Sequence, residues 1–411
     1  INLCRERIGL KRGMEVKMRS ERDGIDSTLI RMTATSREPV SRAALAGMTG
    51  LSKMTIGRHV ADLIQEGVLV ESAGQVSGKN MGRTPMVLSV SDFLPVACGT
   101  LIKRSYIQTI LMDISGRVID ETRDYYGSDL TAETLSSLMT GQYDRLSLHT
   151  RREIFGWGIS AIGPVDKESG RILKPAQFYG ITDFPAVDLA REHMGGKRPA
   201  CLLHDASAGA LAERIYGKGA GCESYIYIHI EEGIGLSFVQ NGHQLSGYSN
   251  QSGEIGHTSI NFNGPKCSCG SNGCLELYAS VPQMRKKIRE LLLFSPDSAF
   301  SELERPSWAD IVRLASQGDM IAVAALDEFC GYLVYAIVNA LNLMRSPMII
   351  LGYDSLQVSG VVTKMIRRKL RRIHRAVEKE EVKVLQSTFD NAPLVGAAAA
   401  AVEEAFCRNA F

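Results

Sequence analysis

The chain has 411 residues, 45% hydrophobic and 22% charged, with a formal net charge of +2. This is an ordinary globular composition, long enough for two or three domains. Nine cysteines, an odd number in a chain without a recognisable signal peptide, argue against a disulfide framework and for a reducing cytoplasm.

The charge is unevenly spread, with 14 Lys and Arg against 10 Asp and Glu through residue 92 and 33 against 35 beyond it. That mild polarity suits an anionic partner at the N-terminal end. The first 25 residues are charged throughout and lack an apolar h-region, so they read as a solvated tail. The most apolar helical run, residues 320–344, carries Asp327 and Glu328 within it and is expected to be a buried helix, not a membrane span.

Residues 26–92 read as one DNA-binding unit. A helix is expected over 25–38, stopping at Pro39. A second runs from the N-cap Ser41 to Gly50, and a third from the N-cap Ser52 to Gly67. Ile56, Val60, Leu63 and Ile64 fall on one face of the third helix. Ser52, Lys53, Thr55, Arg58 and His59 are the candidate DNA contacts, in a helix-turn-helix pattern. Two strands around "AGQVSGKNMGR" would form a wing, with Lys79 and Arg83 available to the DNA backbone or minor groove.

From Phe93 onward the pattern turns α/β. A hairpin is expected over 106–125, a helix near 131–148 and a strand over 154–160. "CLLHD" reads as a strand ending at the helix "ASAGALAERIYG", and residues 224–242 as two strands around a glycine turn. The basic segment 361–377 has Val362, Ile366, Leu370, Ile373 and Val377 on one apolar face, so its arginines are expected to be solvated. A buried strand over 348–354 and an Ala-rich helix over 392–406 complete the series.

Between them lies "GEIGHTSINFNGPKCSCGSNGCLE". Cys267, Cys269 and Cys274 form C-x-C-x4-C, with His257 ten residues upstream and small, turn-forming linkers between. Three thiolates and an imidazole match the tetrahedral ligand set of a structural Zn2+, with no position left open for hydrolysis.

This segment resembles the ROK family of sugar-responsive repressors and sugar kinases. "GPVD" (163–166), "HDASAGALAE" (204–213), "GIG" (233–235), "IILG" (349–352) and "GAAAAA" (396–401) extend the resemblance over nearly the whole chain. It implies a winged helix-turn-helix followed, over residues 93–411, by a two-lobed actin-like (ribonuclease-H-like) domain with a sugar in its cleft. It also implies sugar contacts from Asp205, Glu254, His257 and Glu276, with the zinc fixing the two glutamates. Asp205 alternatively reads as a helix N-cap.

Against the kinases of the family, the first phosphate loop is replaced by "LIKRS" (101–105) and the second by Glu231-Glu232-Gly233. A phosphate cradle needs glycines, and carboxylates repel a triphosphate. Tyr353 is expected to crowd the nucleotide side as well. A non-enzymatic repressor is therefore expected, with an ATP-dependent sugar kinase as the alternative. Expected partners are operator DNA, a sugar or phosphosugar effector and a second copy of the chain, because one winged helix contacts few bases.

Overall fold

The computed structural model describes residues 24–36, 38–74, 86–175, 178–231, 233–245, 247, 253–295, 297–353, 360–373, 375, 379 and 381–407. Lys79, Arg83, Gln177, Glu232 and Val377 lie outside them.

The N-terminal unit has helix α1 over 24–35, α2 (Arg42–Thr49), α3 (Lys53–Gln65) and an antiparallel pair β1 (Leu69–Ala73) and β2 (Met86–Val90). Ser41 caps α2 by accepting from the Ala44 amide, and Gly50 ends it at a φ of 71°. Ser52 caps α3 by accepting from the Thr55 amide. Ile56, Val60 and Leu63 are buried with Leu29, Ile30 and Leu45, which gives the unit a core of its own helices. The Arg42 guanidinium donates to both oxygens of Glu71, at 2.9 and 2.8 Å, and so fastens α2 to the hairpin.

Two lobes follow, each built on a five-stranded sheet. The first holds β3 (Val96–Ile102), β4 (Tyr106–Met112), β5 (Val118–Tyr125), helix α4 (Ala132–His149), β6 (Ile154–Ala161), a short pair β7 (Val165–Asp166) and β8 (Arg171–Ile172), helix α5 (Ala186–His193) and β9 (Ala200–His204). Its strand order is β5-β4-β3-β6-β9, antiparallel through β3 and parallel beyond it. Helix α6 (Asp205–Ile215) leads to the second lobe: β10 (Tyr225–Ile230), β11 (Ile234–Gln240), β12 (His243–Gln244), helices α7 (Val281–Leu292), α8 (Trp308–Ser316) and α9 (Met320–Leu343), β13 (Met348–Tyr353), α10 (Val361–Ile373) and β14 (Lys383–Gln386).

The second sheet runs β12-β11-β10-β13-β14, with the same succession of antiparallel and parallel pairs. Repetition of one sheet topology in two lobes, with α6 and the C-terminal helix (Ala392–Cys407) between them, defines the actin-like architecture.

The Ala-rich sequence of the C-terminal helix follows from its position. A Cβ on Gly158 of β6 would lie 1.8 Å from the Ala397 carbonyl oxygen, and one on Gly396 would lie 1.8 Å from that of Ala208 on α6. Helix, sheet and α6 therefore meet at backbone distance, and only glycine and alanine fit along the seam. Helix α9 is long and apolar enough to cross a membrane by composition, but Ile321, Leu326, Phe329, Leu333 and Ile337 are buried in the second lobe. Its Asp327 pairs with Arg368 and Lys369 of α10. On α10, Val362, Ile366 and Leu370 are buried as expected, whereas Ile373 at the helix end is exposed.

Candidate functional site

A cavity of about 1170 Å³ separates the lobes, larger than the ~300–1,000 Å³ of a typical small-ligand pocket. Asp205, Glu254, His257 and Glu276 all line it. Asp205 opens α6 at the end of β9, with Oδ1 accepting from the Ala206 amide at 2.7 Å. The helix cap is the His204 backbone, without a side-chain bond, so Asp205 is a first-turn acid and not the cap residue.

Glu254 and His257 sit at a single 3-10 turn, Ile255–His257, and Glu276 sits in another, Leu275–Leu277. The two segments are tied together by the Leu275 amide donating to the Thr258 carbonyl at 2.9 Å and by a bridge between Ser259 and Cys274. The first is also held to the sheet by the Leu236 amide donating to the Gly253 carbonyl. Gly253 has a φ of 89°, and a Cβ there would lie 1.8 Å from the Leu236 carbonyl oxygen, so only glycine fits this entry to the site.

The ligand atoms of His257, Cys267, Cys269 and Cys274 all lie within 4.8 Å of one another. Cys267 Sγ is 3.6 Å from His257 Nδ1, and Cys269 Sγ is 3.5 Å from Cys274 Sγ. A tetrahedron with Zn–S of about 2.3 Å and Zn–N of about 2.0–2.1 Å has edges of about 3.5–3.8 Å. Both of these distances match such an edge, and the four residues can hold a metal ion. Ser268 and Cys269 line the cavity, so this loop forms part of its wall.

The opposite wall holds a group that sequence reasoning treated only as a lost glycine. Lys103, 3% exposed at the end of β3, donates to Asp205 Oδ2 at 3.0 Å and to His229 Nε2 at 2.9 Å, and it pairs closely with Glu231 Oε2. An ammonium has three protons, and here each has an acceptor. Burial works against the charge of Lys103, but Asp205 and Glu231 outweigh it and raise its pKa well above the ordinary lysine value. Burial likewise opposes ionisation of Asp205, yet Lys103, His204 and His229 together hold its carboxyl far below the usual carboxylate range.

Two expectations require correction. Tyr353 does not crowd the cleft: it is 3% exposed in the core of the second lobe, 5.8 Å from the Trp308 ring, with its hydroxyl 3.3 Å from that of Thr363. The apolar surroundings at the end of β13 draw the ring inward. His59 does not face solvent with Lys53 and Arg58. It is 2% exposed, and its Nδ1 lies 2.7 Å from Asp26 Oδ1 of α1. Its position three residues after Ile56 and one before Val60 puts it on the inward side of α3. Ser52, Lys53 and Arg58 are exposed and Thr55 is half-buried.

Residues 101–404 match the ROK family profile, and the chain belongs to the ROK family. The chain is 29% identical over 384 residues to the xylose repressor of Bacillus spizizenii, covering 92% of this chain and 95% of that one. It is 25% identical over 363 residues to the transcriptional dual regulator NagC of Escherichia coli, covering 87% of each. Among solved structures, a ROK family transcriptional regulator described as a homolog of the E. coli MLC protein superposes with a TM-score of 0.73 at 22% identity, over 94% of this chain and 98% of that one. A ROK family glucokinase from Streptomyces griseus gives 0.66 at 23% identity, over 75% of this chain and 99% of the kinase. These two structures bear on the fold alone.

Proposed function

We propose that this protein is a sugar-responsive, DNA-binding transcriptional regulator, acting as a repressor of carbohydrate uptake or catabolism genes and lacking kinase activity. One observation carries the reading: a capped helix-turn-helix with Ser52, Lys53 and Arg58 exposed is joined, in one chain, to an interlobe cavity lined by Asp205, Glu254, His257 and Glu276. Carboxylates are strong acceptors for paired hydroxyls, and acceptors fixed before binding lose little freedom on binding. The xylose repressor and the dual regulator among the relatives support the reading of a transcriptional regulator.

In this reading Zn2+ is structural, held by His257, Cys267, Cys269 and Cys274. His257 gives Nδ1 to the metal and keeps Nε2 for a sugar hydroxyl. Asp205 is unsuited to general-base chemistry, because one of its oxygens is engaged by Lys103 and its proton affinity is very low. The chain acts in the cytoplasm as a homodimer or larger homo-oligomer, placing two heads on a near-palindromic operator. The domains are a winged helix-turn-helix (26–92, with its first helix starting at Gly24), for which Lys79 and Arg83 are further candidate DNA contacts, and the effector and oligomerisation domain (93–411), preceded by an N-terminal segment.

A thermal-shift screen of pentoses, hexoses, amino sugars and their phosphates identifies the effector, since a ligand of the folded state raises the melting temperature. A coupled ATP assay on the same sugars is expected to show no turnover. Sustained turnover lost in Asp205→Ala would overturn the repressor reading in favour of a kinase.

A further inference from the structure

Asp205, His229 and Glu231 offer three ligand atoms within 4.8 Å of one another, a set suited to a divalent cation. The centre of that set is filled by Lys103 Nζ, which contacts all three atoms. The partners come from both halves of the molecule. Lys103 ends a strand of the first lobe and Asp205 begins α6, whereas His229 and Glu231 stand at the end of β10 in the second lobe.

We propose that Lys103 is an internal cation: a side chain standing in a divalent-metal site between the lobes and joining them without any bound metal or nucleotide. Three observations converge on this. Three acceptors meet three N–H donors, so the ammonium completes the shell as a metal ion would. Lys103, Asp205 and His229 are all more than nine-tenths buried and Glu231 is partly so, and the ammonium offsets one of the two carboxylate charges from within the protein. And once the ammonium is removed, His229 Nε2 keeps only a 3.3 Å approach to Glu231 Oε2, itself one of the three ligand atoms, while its buried Nδ1 has no partner among the described residues.

Removing a lone partner from such a cluster leaves uncompensated buried charge, which is strongly destabilising. A metal ion can restore the balance, whereas an effect of lost packing alone would not respond to a metal. The inference is independent of whether the cleft binds a sugar or the chain binds DNA.

The test uses the full chain with its Cys/His cluster loaded with zinc, and Mn2+ as the probe, followed by electron paramagnetic resonance and melting temperature. Lys103→Met is expected to melt lower than the unsubstituted chain, to take up one Mn2+ per chain and to regain stability with it. The unsubstituted chain is expected to take up none at this site, and Lys103→Met/Asp205→Asn none either. Folding of Lys103→Met only in the presence of Mn2+ would equally support the proposal. Failure to fold with or without Mn2+, a folded Lys103→Met that takes up no Mn2+, or equal uptake by the unsubstituted chain would overturn it.

Discussion

Glu403 on the C-terminal helix accepts from Arg31 of α1 at 2.8 Å and from Arg214 at the last turn of α6 at 2.5 Å. One carboxylate therefore touches both the N-terminal helical unit and the helix whose first residue is Asp205 in the cleft. Arg31 also lies over the Phe406 ring, 5.5 Å from its centroid. A shift of α6 on closure of the cleft would reach α1 at this point, and α1 holds α3 through Asp26 and His59.

Replacing Glu403 by Gln tests that junction. The Arg31 pair is partly exposed, and such pairs contribute only ~0–1 kcal/mol to stability, so folding is expected to survive. Allosteric coupling typically spans about 5–150-fold in affinity. In Glu403→Gln the sugar is expected to bind as before but to change operator affinity by much less than in the unsubstituted chain. Fluorescence anisotropy with and without sugar measures both.

His59 and Arg58 are adjacent but are expected to fail differently. His59→Ala removes the buried hydrogen bond between His59 and the Asp26 carboxylate, at a cost of about 1.5–3 kcal/mol. Faster hydrogen exchange across α3 would report it. Arg58→Ala is expected to leave exchange unchanged and to abolish specific operator binding, because its side chain is exposed.

Zinc removal is expected to act on the cleft as well as on stability. Cys269→Ser, or a chelator strong enough to strip the site, frees the segment that positions Glu254 and Glu276. Metal analysis is expected to find about one Zn per chain before treatment. Melting temperature and sugar affinity are expected to fall together. Unchanged sugar affinity in the metal-free protein would mean that the backbone ties at Thr258 and Leu275 suffice.

The buried charge cluster sets a pH dependence of definite sign. Burial raises the Glu231 pKa, but Lys103 and His229 outweigh it and bring it down to about 2. A depressed carboxylate contributes stability above its unfolded pKa, ~4.3 for Glu, and loses it as pH falls toward 2. The raised Lys103 contributes below ~10.4 and loses its share at higher pH. The stability difference between the unsubstituted chain and Lys103→Met is therefore expected to be widest near neutrality and to narrow at both ends. Urea midpoints across pH check this.

Much of this was legible in the sequence because local chemistry leaves local marks. Ser41, Gly50, Ser52 and Gly67 punctuate the helices of the N-terminal unit where caps and left-handed turns demand them. The Cys/His spacing brought out the four residues that converge on a possible metal site, and the family resemblance named the four residues that line the cleft. The central strand β3 went unread: "VACGTLI" is buried on both faces, without the alternation that marks a half-exposed strand. The short edge strand β14 was also missed. Lys103 was seen as an absent glycine and not as a present cation, since its partners lie 102 and 126 residues away. Tyr353 was misread because nothing in its neighbours' identities shows which way a ring turns at an element's end, and His59 because it was taken with the polar residues of the third helix although its spacing from Ile56 and Val60 marks the inward face.

The most direct test of sensing by the cleft is operator affinity of Glu254→Ala, measured with and without the sugar that most stabilises the unsubstituted chain. Glu254 lines the cavity and belongs to the C-terminal lobe segment, far in sequence from the helix-turn-helix. Operator binding without sugar is expected to equal that of the unsubstituted chain, and addition of sugar is expected to change nothing. If Glu254→Ala still releases the operator at the usual sugar concentration, the cleft is not the sensor.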